Sequence, residues 1–156
     1  MCIRDRNGTE ATEWFYPMEN IKIGKDERAC LTINAPKLND ELLITNDLIE
    51  FNDKGGFRFL GRWDNVVNSG GVKLIVEHIE AKLSPFIEEN FYLKGIKDVR
   101  LGEKLVLFVE GSPWSKSKET IFWGESKKVM ESYESPKEIV FVDSFQRTAS
   151  GKVRRL

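Results

Sequence analysis

The run "KLVLFVEG", Lys104–Gly111, most constrains what this chain can fold into. Leu105, Val106, Leu107, Phe108 and Val109 follow one another with no polar face between them. A strand of that kind is buried on both faces. Helices and a further strand are expected around it in the sequence. From Leu74 onward, Ile75, Ile79 and Leu83 recur at four-residue spacing, one apolar helix face. Ser84-Pro85 reads as the N-cap and first residue of a second short helix. "KSKETIFWGESKKVMESY" carries Ile121, Phe122, Val129, Met130 and Tyr133 at roughly helical spacing, interrupted by Gly124. "EIVFV" reads as a last strand.

The N-terminal part has a different texture. Residues 7–40 are polar and turn-rich. "ELLIT" and "DLIEF" read as two strands, with Asp47 at a turn between them. Asn52–Gly56, "NDKGG", is a turn leading into "FRFLG", where Phe57 and Phe59 alternate with Arg58 as on a half-buried strand. Mixed strands and helices give an α+β fold, with a domain boundary near Gly61-Arg62. The first six residues, "MCIRDR", fit nothing that follows and are expected to be a non-native leader. The chain is then expected to be the back end of a longer protein.

Composition narrows function by exclusion. Lys+Arg number 24 against 25 Asp+Glu, so the net charge is −1. A general nucleic-acid binder is usually basic, and no nucleic-acid partner is expected. No apolar run approaches the roughly 20 residues needed to span a bilayer, and no membrane association is expected. Cys2 and Cys30 lack metal-ligand spacing. They read as reduced thiols of a cytoplasmic protein.

Three stretches carry chemistry, and each has an ordinary reading beside a functional one. In "GRWDNVVNSGGVK", Gly70-Gly71 is an ordinary loop, or a place where backbone closely approaches a ligand with Lys73 beside it. It is neither a dinucleotide fingerprint nor a Walker A loop. In "FQRTASGKVRRL", the basic tail is solvated charge, or Gly151 lets Lys152 reach a phosphate oxygen. Asp47 is a turn aspartate, or a carboxylate that accepts hydrogen bonds from ribose hydroxyls. A separate "NGTEATEW" at residues 7–14 contains Gly-Thr-Glu with no aromatic before it, and reads as coincidence.

The order of these stretches is more specific than any one of them. Asp47 stands fifteen residues before Arg62. Ser-Gly-Gly-x-Lys, a helix with Ile-Glu and a terminal Arg-Thr-x-Ser-Gly-Lys then follow. This order resembles the C-terminal portion of the adenylate-forming enzymes, from about Asn7 to the end. Among them, "TNDLIEF", "LGRWDNVVNSGGVK" and "LGEKLVLFVEG" look most like bacterial o-succinylbenzoate–CoA ligases of menaquinone synthesis. The resemblance implies that residues 7–60 end a large adenylation domain and residues 61–156 form a small α+β lid, a short mixed sheet packed by helices.

The resemblance also implies roles. Asp47, in Thr45-Asn46-Asp47, would bind the ribose of ATP or AMP, although Asn46 stands where the family has glycine. Arg62 and Lys73 would be further nucleotide contacts, and Asp64 the hinge between domain and lid. Ser69, Gly70 and Gly71 would line the path of the CoA thiol arm. Lys152 would be the catalytic lysine of adenylation. Gln146 stands where proline is frequent, and Val76 and His78 where a proline and an acidic residue are frequent. His78 reads as a solvent-facing helix residue. ATP, Mg2+ and CoA are the implied cofactor and co-substrates, with a small carboxylic acid as substrate. The magnesium ligands, the phosphate loop and the acid pocket would lie in the missing N-terminal adenylation domain. The segment alone is expected to be inactive. A different-class alternative is a stand-alone domain that binds an anionic partner through Lys152, Arg154 and Arg155.

Overall fold

A computed structural model describes residues 3, 4 and 14–155 of the chain. Cys2 and the Gly-Thr-Glu stretch lie outside them. The chain divides into two compact units, the first ending at Asp64 and the second starting at Asn65.

The first unit is all β. Strand β1 (Ile3–Arg4) pairs with β2 (Tyr16–Pro17). An antiparallel sheet then runs in chain order through β3 (Lys22–Lys25), β4 (Cys30–Ala35), β5 (Asn39–Phe51) and β6 (Phe57–Arg62). Leu31, Ile49 and Phe57 form its core, with Phe15, Ile23 and Ile33 packed against them. The Asn52 side chain closes the β5–β6 turn by accepting from the backbone N–H of Lys54 and Gly56 at 2.9 and 2.8 Å. On β6, Phe57 is buried but Phe59 is half exposed, so the expected alternation holds only at its first position.

"ELLIT" and "DLIEF" are one strand, not two. Asp47 lies inside β5, not at a turn. Cys30 pairs with Leu48 and Thr32 with Ile44, so Thr45-Asn46-Asp47 stands against the single residue Leu31. The three residues form a bulge that lifts them out of the ladder with β4. Thr45 sustains it: its hydroxyl donates to the Leu31 carbonyl at 2.9 Å and accepts from the Asp47 N–H at 3.1 Å. A polar triplet between apolar runs resembles a turn in sequence because both interrupt the alternation.

The second unit is built around β10 (Gly102–Glu110), the strand that contains the apolar run. It is preceded by the hairpin β7 (Val67–Ser69) and β8 (Val72–Leu74), helix α1 (Val76–Leu83), and β9 (Phe91–Asp98). Strand β9 pairs antiparallel along one edge of β10. Strand β11 (Glu138–Val142) pairs parallel with Val106–Glu110 along the other edge, which β7 meets at Gly102. A parallel neighbour needs a long crossover, and helix α2 (Lys116–Ser126) provides it. Leu105, Leu107 and Val109 are buried with Val76, Ile79 and Leu83 of α1 and Phe122 of α2. These residues share one face of β10, the face that the two helices cover. On the other, Val106 is buried and Phe108 stacks on Tyr92, against which Phe145 packs, so the cover there is aromatic side chains and not a helix.

Local expectations shift in three places. Val76, not Ile75, joins Ile79 and Leu83 on the buried face of α1. Ser84 caps nothing with its side chain: its N–H donates to the Glu80 carbonyl, and the chain runs on into a single 3-10 turn, Ser84–Phe86. Helix α2 ends at Ser126, not near Tyr133. Phe122 and Met130 are buried, whereas Ile121, Val129 and Tyr133 are exposed, so no continuous apolar face extends past the helix end. Gly124 interrupts nothing.

Candidate functional site

In the first unit, the structure brings Asp47, Arg62 and Asp64 together. The Asp47 carboxylate accepts from Arg62 at 3.2 Å, and Arg62 also donates to Asp64 at 3.1 Å. The register that opposes Asp47 and Arg62 depends on a second bulge. Phe51 pairs with Phe57 and Ile49 with Phe59, but Leu48 pairs with Gly61. Leu60 is the extra residue. Were Leu60 to pair with Leu48 in regular register, Asp47 would oppose Gly61, and Arg62 would project from the other face.

Two residues of this site carry no signal in the sequence. Asp26 organises the β3–β4 turn by accepting from the backbone N–H of Arg28 and Cys30 at 2.9 and 2.8 Å. Partial burial pushes the Asp26 carboxyl up, but those hydrogen bonds and the Arg28 guanidinium outweigh it and hold the group below the usual carboxylate range. Arg28 donates to Asp26 at 2.8 Å, to the Asn46 side-chain oxygen at 3.0 Å and to the Thr45 carbonyl at 3.3 Å. A guanidinium only donates. Arg28 therefore orients the Asn46 amide with its oxygen inward, and the amide nitrogen donates to both oxygens of Asp64 at 3.2 Å each. Asn46 and Arg62 thus tie Asp64 to the first unit. Cys30, buried beside this turn, is a free thiol, and burial raises its pKa.

The second unit holds the remaining predicted residues in two hairpins. Gly70-Gly71 is not an open loop but the two-residue turn between β7 and β8, with φ of 59° and 85°. Positive φ at both positions is what a type I′ turn demands. The Gly70 N–H donates to the Leu101 carbonyl at 2.8 Å. Ser69 is buried and pairs with Val72, and Lys73 is exposed opposite Asn68. At the start of this unit, Asn65 donates to Glu77 of α1 at 2.5 Å. His78 is exposed on α1.

The second hairpin is the tail. Arg147 and Val153 face each other in a single antiparallel bridge. The Thr148 N–H donates to the Lys152 carbonyl and the Gly151 N–H to the Thr148 carbonyl, both at 2.8 Å. Gly151 takes φ 82°, and the Thr148 hydroxyl accepts from the Lys152 N–H at 3.1 Å. The Arg154 N–H donates to the Gln146 carbonyl at 2.7 Å. The hairpin uses only the carbonyl of Gln146, which proline would also supply. Lys152 is exposed, and its ammonium makes no hydrogen bond or ion pair among the described residues.

Among the described residues, no group of three or more His, Cys, Asp or Glu side chains could hold a metal ion. No helix among them is long and apolar enough to cross a membrane.

No protein-family model matches the chain. It is 31% identical over 117 residues to an uncharacterized acyl–CoA ligase of Bacillus subtilis, covering 74% of this chain and 24% of the relative. The chain thus spans about a quarter of the curated relatives it matches. Among solved structures it is similar to an AMP-forming acyl-CoA synthetase/AMP-acid ligase II-like protein from Dyadobacter fermentans. That match has 34% identity and a TM-score of 0.59, over 96% of this chain and 43% of the other. It also shares its fold with the o-succinylbenzoate CoA synthetase of Bacillus subtilis in complex with its acyl-adenylate intermediate. There the TM-score is 0.71 at 18% identity, over 88% of this chain and 33% of the other. The chain has an α+β fold, and its homologues in sequence and structure are AMP-forming acyl-CoA synthetases.

Proposed function

We propose that this chain is the C-terminal portion of a cytoplasmic, ATP-dependent acyl-CoA ligase, with residues up to about Arg62 ending the adenylation domain and the rest forming its lid. In the first step, a carboxylate oxygen of the acid attacks the α-phosphorus of ATP. The new P–O bond forms as the bond to pyrophosphate breaks. Lys152 stabilises the negative charge that accumulates in that transition state. Asp47 and Arg62 hold the ribose side of the nucleotide, with Lys73 a further basic contact. The lid then turns about Asp64. The β7–β8 turn, Ser69 with Gly70-Gly71, arrives to admit CoA, whose sulfur attacks the acyl carbon and releases AMP. ATP, Mg2+ and CoA meet most of their contacts on the adenylation domain.

The observation that carries this reading is the exposed Lys152 at the tip of a closed hairpin, its ammonium without a partner among the described residues, in a chain whose other unit opposes Asp47 and Arg62 in register. The acid we propose is o-succinylbenzoate, on the strength of the motifs shared with those ligases. A fatty or aryl acid is the alternative, since the similar proteins include a medium/long-chain-fatty-acid–CoA ligase and an anthranilate CoA ligase. The test is acid-dependent exchange of pyrophosphate into ATP by the full-length enzyme. Lys152→Ala should abolish that exchange and spare thioester formation from preformed acyl adenylate. Equal loss in both steps would overturn the role of Lys152. A screen of o-succinylbenzoate, fatty acids and benzoates identifies the acid. This segment by itself should release no pyrophosphate.

A further inference from the structure

The Lys152 hairpin contributes little to its own stability. One bridge and a few backbone bonds close it, its residues are mostly exposed, and a short isolated hairpin is marginal in water. What holds it lies on either side of it in the sequence. On the N-terminal side, the Phe145 ring packs on Tyr92 with centroids 4.8 Å apart, and Tyr92 stacks on Phe108 at 5.0 Å. Glu110, at the end of β10, gathers three donors: from the tail, the Phe145 N–H at 2.7 Å and the Arg147 guanidinium at 3.0 Å, and from the segment before β9, the Asn90 amide at 2.6 Å. On the C-terminal side, Glu80 of α1 accepts from Arg155 at 2.8 Å and from the Leu93 N–H at 2.7 Å. Arg155 also donates to the Leu93 carbonyl at 3.4 Å.

From this arrangement we propose that Glu110 and Glu80 are positioning residues for Lys152, fixing the two ends of its hairpin to the β9–β10 sheet and to α1. Neither carboxylate is needed to close the hairpin, whose backbone bonds are its own. Each is charge-assisted and reaches a different rigid element. Lys152 thus stands on a short span tethered at Arg147 and at Arg155, with a flexible side chain but a fixed base. A catalytic charge displaced by about 1 Å loses on the order of a hundredfold in rate, so these tethers act on catalysis without touching substrate. The catalytic part of the inference rests on the adenylation role proposed for Lys152; the tethering part does not.

The test uses Glu110→Gln and Glu80→Gln, singly and together. Each keeps a hydrogen-bonding side chain of the same length and loses the charge that holds an arginine. The first readout is amide hydrogen exchange of the 156-residue chain. The Thr148, Gly151 and Arg154 amides should exchange roughly tenfold faster in each variant, while the Leu107 amide in β10 stays as in wild type. The second readout is the pair of half-reactions in the full-length enzyme, with the acid found active in wild type. Adenylation should fall by roughly tenfold in each single variant and further in the double, with thioester formation from preformed acyl adenylate unchanged. Unchanged exchange in the tail overturns the tethering. Faster exchange with both half-reactions equally affected, or neither, overturns the positioning role. A wild-type enzyme with no half-reaction on any acid overturns the proposed function instead, and exchange alone then decides whether the two carboxylates hold the hairpin.

Discussion

Asp47 and Arg62 stand directly opposite one another on β5 and β6, with the carboxylate accepting from the guanidinium at 3.2 Å. Both are partly exposed, at 35% and 48%. An exposed pair of this kind contributes about 0–1 kcal/mol to stability. Its placement between two bulges therefore calls for a reason other than holding the sheet together. In the proposed enzyme that reason is the nucleotide. Asp47→Asn should leave the unfolding midpoint of this chain nearly unchanged. In the full-length enzyme it should raise the Kd for ATP by roughly 10- to 100-fold, the cost of about 1.5–3 kcal/mol for a hydrogen bond to a charged group. Urea unfolding and calorimetric titration with ATP check the two halves. A large loss of stability with unaltered ATP binding would make the pair structural.

Arg28 predicts the opposite pattern. It joins Asp26, Asn46 and the Thr45 carbonyl, and its guanidinium lies 5.8 Å from the Trp63 ring. Arg28→Ala should lower stability by about 1–3 kcal/mol, because the Asn46 oxygen and the Thr45 carbonyl both lose a donor. Arg28→Lys should recover little of this, since one ammonium cannot span three acceptors arranged for a planar fork. Denaturant midpoints of the two variants against wild type decide it. Full recovery by lysine would mean that charge alone matters at this position.

The β7–β8 turn isolates a backbone effect. A Cβ on Gly71 would meet no atom within 4 Å, but its φ is 85°. Gly71→Ala should therefore cost about 1–2 kcal/mol from backbone strain alone. Gly71→Asn should cost less, because Asn tolerates positive φ better. Denaturant unfolding of both variants measures the difference. If alanine cost nothing, the glycine would answer to a ligand's need for space, not to the turn.

Much of this was readable in the sequence where a pattern repeats. The apolar run of β10 announced a buried strand, and Ile79 and Leu83 announced the face of α1. Asp47, Arg62 and Lys152 stood out through their order along the chain. Patterns that break were misread. Thr45-Asn46-Asp47 looked like a turn because a bulge and a turn both interrupt alternation, and only the pairing with Leu31 separates them. Partnerships across the fold left no trace at all. Arg28 meets Asn46 from 18 residues away, and Arg155 meets Glu80 from 75 away. No periodicity links such positions. Glu110 gave a faint signal, as a charge ending a buried apolar strand.

The two carboxylates beside the tail should respond to pH in opposite senses. The Phe145 N–H, Asn90 and Arg147 hold the Glu110 carboxyl below the usual range. A depressed carboxyl contributes stability that is present above its unfolded pKa and is lost as pH falls through its folded value. Burial pushes Glu80 up, more than the Leu93 N–H and Arg155 bring it down. A raised carboxyl contributes stability that is present below its unfolded pKa and is lost as pH rises through its folded value. The stability of wild type over Glu110→Gln should therefore grow as pH is raised through the acidic range, and that over Glu80→Gln should shrink. Urea midpoints of the three proteins from about pH 3 to about pH 8, spanning the ordinary carboxylate range, measure both slopes. Parallel slopes for the two variants would contradict the assignment, because a general acid weakening of the fold moves both differences the same way.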